Sequence, residues 1–167
     1  MIFVTVGSSR IPFDRLLRAV EKITTEQVVV QHGASRVRPA NAECYEFVDH
    51  EQFVELARAA RAVVTHAGVG SLLTVREAGR RPIVVPRRKA SGEAVDDHQV
   101  SFARRADELG LATLVEDVDL LPSIIVNLPQ LSVDSAGRRR ALESTLRSYI
   151  QQVAGPQPVV STARSLV

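Results

Sequence analysis

Thr65-His66-Ala67-Gly68-Val69-Gly70-Ser71 is the stretch that decides the fold. It follows the apolar run Ala62-Val63-Val64 and precedes a helical pattern, so it reads as a strand end, a glycine turn and a helix start. Two glycines permit a tight turn and a close backbone approach to a ligand. The amides of Gly70 and Ser71, with the helix dipole behind them, favour an anion, and a phosphate is the natural candidate. The spacing is neither the G-x-G-x-x-G dinucleotide fingerprint nor a Walker loop, which needs Gly-Lys-Ser/Thr. The turn by itself therefore leaves a plain strand-to-helix connection open. His66 either donates to a phosphate oxygen or packs beside the turn, and its place next to the glycines favours the contact.

Outward from this turn, short apolar runs at 2–6, 28–31, 44–48, 62–65, 83–85 and 112–115 alternate with amphipathic stretches. They predict six strands and about six helices. Phe13, Leu16, Leu17 and Val20 form one apolar helix face, as do Phe53, Leu56, Ala57 and Ala60. Val95, Phe102, Ala103, Ala106 and Leu109 give a third, and Leu142, Leu146, Ile150 and Val153 a fourth. Strands apolar throughout, rather than alternating, are buried on both faces, which predicts an α/β fold with a parallel sheet covered by helices. The segment after Gly155, with Pro156 and Pro158 and no helical period, is expected to be a disordered tail over 154–167 or a contact arm, leaving 1–153 as one domain.

Length and composition narrow the function. A chain of 167 residues, 45% hydrophobic, supports one sizeable core and leaves no room for a second full domain. Its net charge is only +2, with no Trp and 4% aromatic residues, and no aromatic-basic interleaving suggests base stacking, so nucleic acid is not an expected partner. Met1 to Val6 carry no basic leader, and no apolar run reaches the roughly 20 residues of a bilayer span. The expectation is a cytoplasmic protein, peripheral at a membrane only through a partner. The single Cys44 excludes an internal disulfide and suits a reducing compartment.

In open parallel sheets ligands sit at the carboxyl ends of the strands. Those ends carry Gly7-Ser8-Ser9-Arg10, His32-Gly33, the segment after Phe47, His66 to Ser71, and Pro86-Arg87-Arg88-Lys89. Asp96-Asp97-His98-Gln99 opens a later helix, where carboxylates are either caps or, beside a Gln, acceptors and donors at the spacing of sugar hydroxyls. Asp117-Val118-Asp119 matches the Asp-x-Asp signature of metal-dependent sugar transferases, yet an Asp at that place is the expected cap of a following helix. His32 and His50 have no partners in the sequence and read as core or surface residues. No zinc spacing and no nucleophile elbow is present. Arg138-Arg139-Arg140 reads as a solvated helix start, with lipid headgroups or an acidic partner as the other reading.

Phe3-Val4-Thr5-Val6-Gly7, Gln31-His32-Gly33, Thr65 to Ser71, Pro82-Ile83-Val84-Val85-Pro86 and Asp96 to Gln99, in this order and spacing, resemble the C-terminal, donor-binding half of family 28 glycosyltransferases over about residues 1 to 127. Within that family the chain is most similar to small stand-alone subunits of two-part enzymes, the bacterial exopolysaccharide PssE-like and eukaryotic Alg13-like proteins. The resemblance implies a Rossmann-like GT-B half-fold that binds a UDP-sugar. Gly7, Ser8, His66, Gly68, Gly70 and Ser71 would hold the diphosphate, and Phe47 and Val48 the uracil. Asp97, His98 and Gln99 would hold the sugar. Many relatives place a ribose-binding Glu eight residues after the position of His66, where this chain has Thr74, with Glu77 one turn further on. The resemblance also implies a metal-independent hexosyl transfer without cofactors. It places the acceptor site and the catalytic base on a membrane-anchored partner similar to PssD or Alg14, and makes the acceptor a lipid-linked glycan. Two other classes stay open: a nucleotide-sugar binding or regulatory module, and a generic mononucleotide-binding domain that would leave Asp97 and Gln99 without a role.

Overall fold

A computed structural model describes residues 1–128. The expected fourth helix face, the Arg138 to Arg140 cluster and the proline-containing tail lie outside the described residues. Six parallel strands form one sheet: β1 (Ile2–Thr5), β2 (Val28–Gln31), β3 (Ala42–Tyr45), β4 (Ala62–His66), β5 (Ile83–Val85) and β6 (Thr113–Leu114). Their spatial order is β3-β2-β1-β4-β5-β6, so the chain winds to one side of β1 and then crosses to the other. Among the described residues four α-helices connect them, α1 (Asp14–Val20), α2 (His50–Ala59), α3 (Val69–Glu77) and α4 (His98–Glu108), and α5 (Leu121–Asn127) follows β6.

The continuous apolar character of the central strands has the expected cause. Every residue of β1, β2 and β5 is buried. One face of the sheet, with Ile2, Val4, Val28, Val30, Val64 and Val85, packs with Leu16, Leu17 and Val20 of α1 and Leu121 and Ile125 of α5. The opposite face, with Phe3, Val29 and Val63, meets Phe53 and Ala57 of α2 and Val75 of α3. Phe3 and Phe53 meet edge to face, their centroids 5.2 Å apart, the arrangement that aromatic quadrupoles favour.

Two expectations shift. The third strand is Ala42–Tyr45 rather than 44–48, because its ladder with β2 runs from Val28↔Ala42 to Gln31↔Tyr45 and stops where β2 stops. Phe47 and Val48 are thereby released into the connection to α2. The third helix face also shortens: α4 begins at His98, so Val95 lies in the preceding loop, 74% exposed, while Phe102, Ala103 and Ala106 are buried as the periodicity requires.

Candidate functional site

The chain reverses its direction of winding between β1 and β4, and in such sheets the loops leaving the two strands diverge and open a crevice. A cleft of about 240 Å³ lies there, lined by Thr5, Gly7, Ser8, Gln31, Phe47, Val48, Asp49, His50, Phe53, Gly70, Ser71 and Thr74. Its contents follow the strand order across the sheet edge. Phe47 and Val48 come after β3, Gln31 ends β2, Gly7 and Ser8 follow β1, and Gly70 and Ser71 open the helix behind β4.

The β4 turn forms as the sequence predicts. Gly68 is the N-cap of α3, and the bond from Leu72 N–H to the Gly68 carbonyl (3.0 Å) closes the first helical turn. The amides ahead of Leu72 thus face the cleft end of a nine-residue helix without an intrahelical acceptor. A Cβ placed on Gly70 would meet nothing within 4 Å. Gly7 and Gly68 differ from it: a Cβ on either would run into the His66 ring, and Gly7 has φ +77°. The imidazole is therefore seated between two glycine backbones that leave it room.

This seat sets the protonation of His66. Burial, and secondarily the charge of Arg87, pull its pKa down to about 4, so the ring is neutral at pH 7 and can offer an anion one N–H but no charge. The sign of the pH effect follows. The unfolded chain, with an ordinary His pKa near 6.5, binds more protons than the native state between pH 6.5 and 4. Stability present above pH 6.5 should accordingly fall by up to about 3 kcal/mol as the pH drops to 4. Urea unfolding of His66→Gln across that range should show a shallower decline than the wild type; identical slopes would mean that His66 titrates normally in the native state.

Of the predicted diphosphate residues Gly7, Ser8, Gly70 and Ser71 line the cleft whereas His66 and Gly68 do not, and Asp97, His98 and Gln99 do not line it either. They stand one strand further along, at the loop between β5 and α4, and two of them organise that loop: Asp97 accepts from Lys89 N–H (2.9 Å) and the Gln99 side-chain carbonyl from Arg87 N–H (3.2 Å). Asp97 occupies the N-cap position of α4 without making a side-chain capping bond, and Asp96 takes the His98 ring and the His98 N–H. Among the described residues the second carboxylate oxygen of Asp97 and the Gln99 NH₂ make no hydrogen bond. Thr74 lines the cleft but donates its hydroxyl to the Gly70 carbonyl (3.0 Å), so toward a ribose it can act only as an acceptor.

Arg80, Arg81, Arg87, Arg88 and Lys89 read in the sequence as a basic cluster facing either the donor diphosphate or an acidic partner surface, but the four arginine side chains turn to backbone carbonyls of this chain. Arg80 bonds the Arg58 carbonyl, Arg81 that of Ala112, and Arg88 that of Glu116. Arg87 is 1% exposed, and its guanidinium donates to the carbonyls of Val6 (2.9 Å), Ile11 (2.7 Å) and Glu93 (3.1 Å) beneath the face of Phe13. Asp117 and Asp119 follow the capping alternative: Asp117 accepts from Asp119 N–H, and Asp119 pairs with Lys22 at 2.7 Å. Among the described residues no group of three or more His, Cys, Asp or Glu side chains could hold a metal ion. His32 is core, as expected, whereas His50 stands at the cleft wall, a place with no signal in the sequence. Thr5 and Gln31 were likewise missed as lining residues, although both sit at strand carboxyl ends.

The family model of the glycosyltransferase family 28 C-terminal domain matches residues 1–152. The chain belongs to this glycosyltransferase family. No curated protein matches it by sequence. The family 28 domain superposes on solved glycosyltransferase structures at the level of fold. CalG4, the calicheamicin glycosyltransferase, matches with a TM-score of 0.57 and 21% identity over 92% of this chain and 44% of that one. MurG of Acinetobacter baumannii matches with 0.55 and 19% over 89% and 49%, and SnogD of Streptomyces nogalater with 0.51 and 23% over 87% and 38%. The chain thus spans less than half the length of these structures, and its parallel sheet with flanking helices is the C-terminal domain architecture of GT-B glycosyltransferases.

Proposed function

We propose that this family 28 domain is the donor-binding subunit of a heteromeric hexosyltransferase that moves a sugar from a UDP-sugar to a lipid-linked glycan in exopolysaccharide synthesis. The observation that carries the reading is the division of the cleft. The α3 N-terminus and Ser8, in the turn after β1, lie at one end, where two phosphates gain helix amides and a hydroxyl as donors. A 64% exposed Phe47 ring with Val48 and Phe53 forms the other end, an apolar surface on which a base can stack. In this reading Thr74 accepts from a ribose hydroxyl, the neutral His66 donates its ring N–H to a phosphate oxygen, and Asp97, His98 and Gln99 receive the sugar.

Catalysis on the donor side is electrostatic. As the glycosidic bond to UDP breaks, negative charge grows on the diphosphate. The α3 amides, already fixed in place, offset it without reorganising. No metal is required for that role. The acceptor site and the base that deprotonates the attacking hydroxyl come, in this proposal, from a membrane-anchored partner resembling PssD or Alg14, which would hold the chain at the cytoplasmic face of the membrane.

Calorimetry with UDP in the presence and absence of EDTA should give the same affinity; an absolute need for Mg²⁺ or Mn²⁺ would remove the metal-free mechanism. Transfer from a radiolabelled UDP-sugar to a polyprenyl-diphosphate glycan should require membranes that contain the partner. Robust turnover by the chain alone would overturn the subunit reading, while UDP binding with no transfer under any condition would favour a nucleotide-sugar binding module.

A further inference from the structure

Gln31 is the one buried amide side chain in the cleft lining. It is 3% exposed, and its environment fixes which way the amide points. The Gly7 N–H donates to the Thr5 hydroxyl oxygen (3.1 Å), and that hydroxyl donates in turn to the Gln31 side-chain carbonyl (2.9 Å). Thr5 is fully buried, so its hydroxyl proton needs an acceptor, and the Gln31 carbonyl supplies it. The amide NH₂ of Gln31 is therefore turned away from Thr5 and makes no hydrogen bond among the described residues; it is not one of the fully buried unpaired atoms there, so it opens on the cleft. An amide side chain more than nine-tenths buried, oriented by a relay and presenting its free NH₂ at a cleft wall points to a ligand acceptor atom.

The strand order indicates which one. Gln31 ends β2, directly beside β3 and the Phe47-Val48 wall that follows it, and the bonds His32 N–H to Tyr45 carbonyl (2.8 Å) and Gly33 N–H to Glu46 carbonyl (3.0 Å) tie the two segments together. The helix N-terminus that suits phosphate lies behind β4, two strands away. Resting on the nucleotide-donor reading above, we propose that Gln31 reads the nucleobase, its NH₂ donating to a carbonyl oxygen on the edge of the base while the Thr5–Gly7 relay holds the amide in that orientation. Such a donor selects bases with a carbonyl at that edge, because an amino group there would leave both donors facing each other.

The test uses three ligands that divide the donor into parts: UDP, uridine and inorganic diphosphate, titrated by calorimetry or, for the weaker two, by NMR. Gln31→Met keeps length and removes the donor without adding charge. Affinities for UDP and uridine should fall by the same factor, about tenfold, while that for diphosphate stays unchanged. If Gln31→Met does not fold, Gln31→Glu retains the acceptor for Thr5, and uridine, being uncharged, should again lose about tenfold. Uridine binding equal to wild type in either variant would overturn the assignment, whatever happens to diphosphate. Loss of all three ligands with a lowered melting temperature would overturn it too, making Gln31 a prop of the cleft floor. Failure of the wild type to bind UDP at all would instead refute the nucleotide-donor reading beneath it.

Discussion

Arg87→Ala should be among the most destabilising single substitutions in this domain, costing about 3–5 kcal/mol. The Arg87 side chain is among the largest that are fully buried, and among the described residues no carboxylate pairs with it: Glu93, whose charge favours it, takes Arg15 at 2.8 Å, and Arg87 rests on carbonyls and on the Phe13 ring at 4.7 Å. The burial is costly, since it lowers the pKa of the guanidinium and leaves the Arg87 Nε without a partner. Against that cost stand four carbonyls from two loops, those of Val6, Ile11 and Pro12 after β1 and that of Glu93 after β5, each worth about 1–3 kcal/mol when stranded in the interior. The alanine variant strands these carbonyls and opens a void at the junction of the β1 and β5 loops, so the carbonyl and cavity terms outweigh the relief of desolvation. Thermal unfolding should show a drop on the order of 10 °C for a chain of this length. The His66 ring, freed from a neighbouring positive charge, should titrate at higher pH in an NMR experiment. A melting temperature within a degree or two of wild type would mean that the two loops hold together without Arg87.

That role of Arg87 marks where the sequence ceases to be legible. The six strands, the parallel sheet and the helix faces followed from apolar runs and their periods, because burial on both faces leaves a compositional trace in a strand. The turn at Gly68 to Ser71 was equally legible, since two glycines between an apolar run and a helical pattern mark a strand-to-helix turn, and at Gly68 the His66 ring occupies the space of a Cβ. Arg87 stood in the sequence only as one of the basic residues after a strand, and charge ordinarily predicts exposure; nothing local reveals that carbonyls from Val6 and Ile11, some 80 residues earlier, converge on it. Gln31 and His50 were missed for a related reason. Their roles depend on which strands become neighbours, and adjacency of β2 with β1 and β3 is a property of the topology, absent from the residues flanking them. The third strand shows the same limit in reverse, since pairing with β2 stopped it at Tyr45 and turned Phe47 from a strand residue into a cleft residue.

Gly70→Val should separate ligand binding from folding more sharply than any other substitution at the cleft. Position 70 is the second residue of α3, exposed, and a Cβ there points into open space, so a branched side chain meets no protein atom at its root. Valine lowers the conformational freedom of the unfolded chain relative to glycine, and the position has an ordinary negative φ, so the folded state pays no backbone strain. Unfolding free energy should therefore stay within about 0.5 kcal/mol of wild type. Binding should suffer heavily. The valine methyls occupy the approach to the Gly70 and Ser71 amides, and each amide-to-phosphate bond lost is a charged hydrogen bond worth about 1.5–3 kcal/mol, which makes the expected loss of UDP affinity on the order of 100-fold. Gly68→Ala supplies the contrast, since its Cβ would enter the His66 ring and should lower stability even though the side chain added is smaller. If Gly70→Val instead lost stability and affinity together, position 70 would be a structural turn residue. If it bound UDP as tightly as wild type, the α3 terminus would not be where the diphosphate sits, and the division of the cleft into a phosphate end and a base end would have to be redrawn.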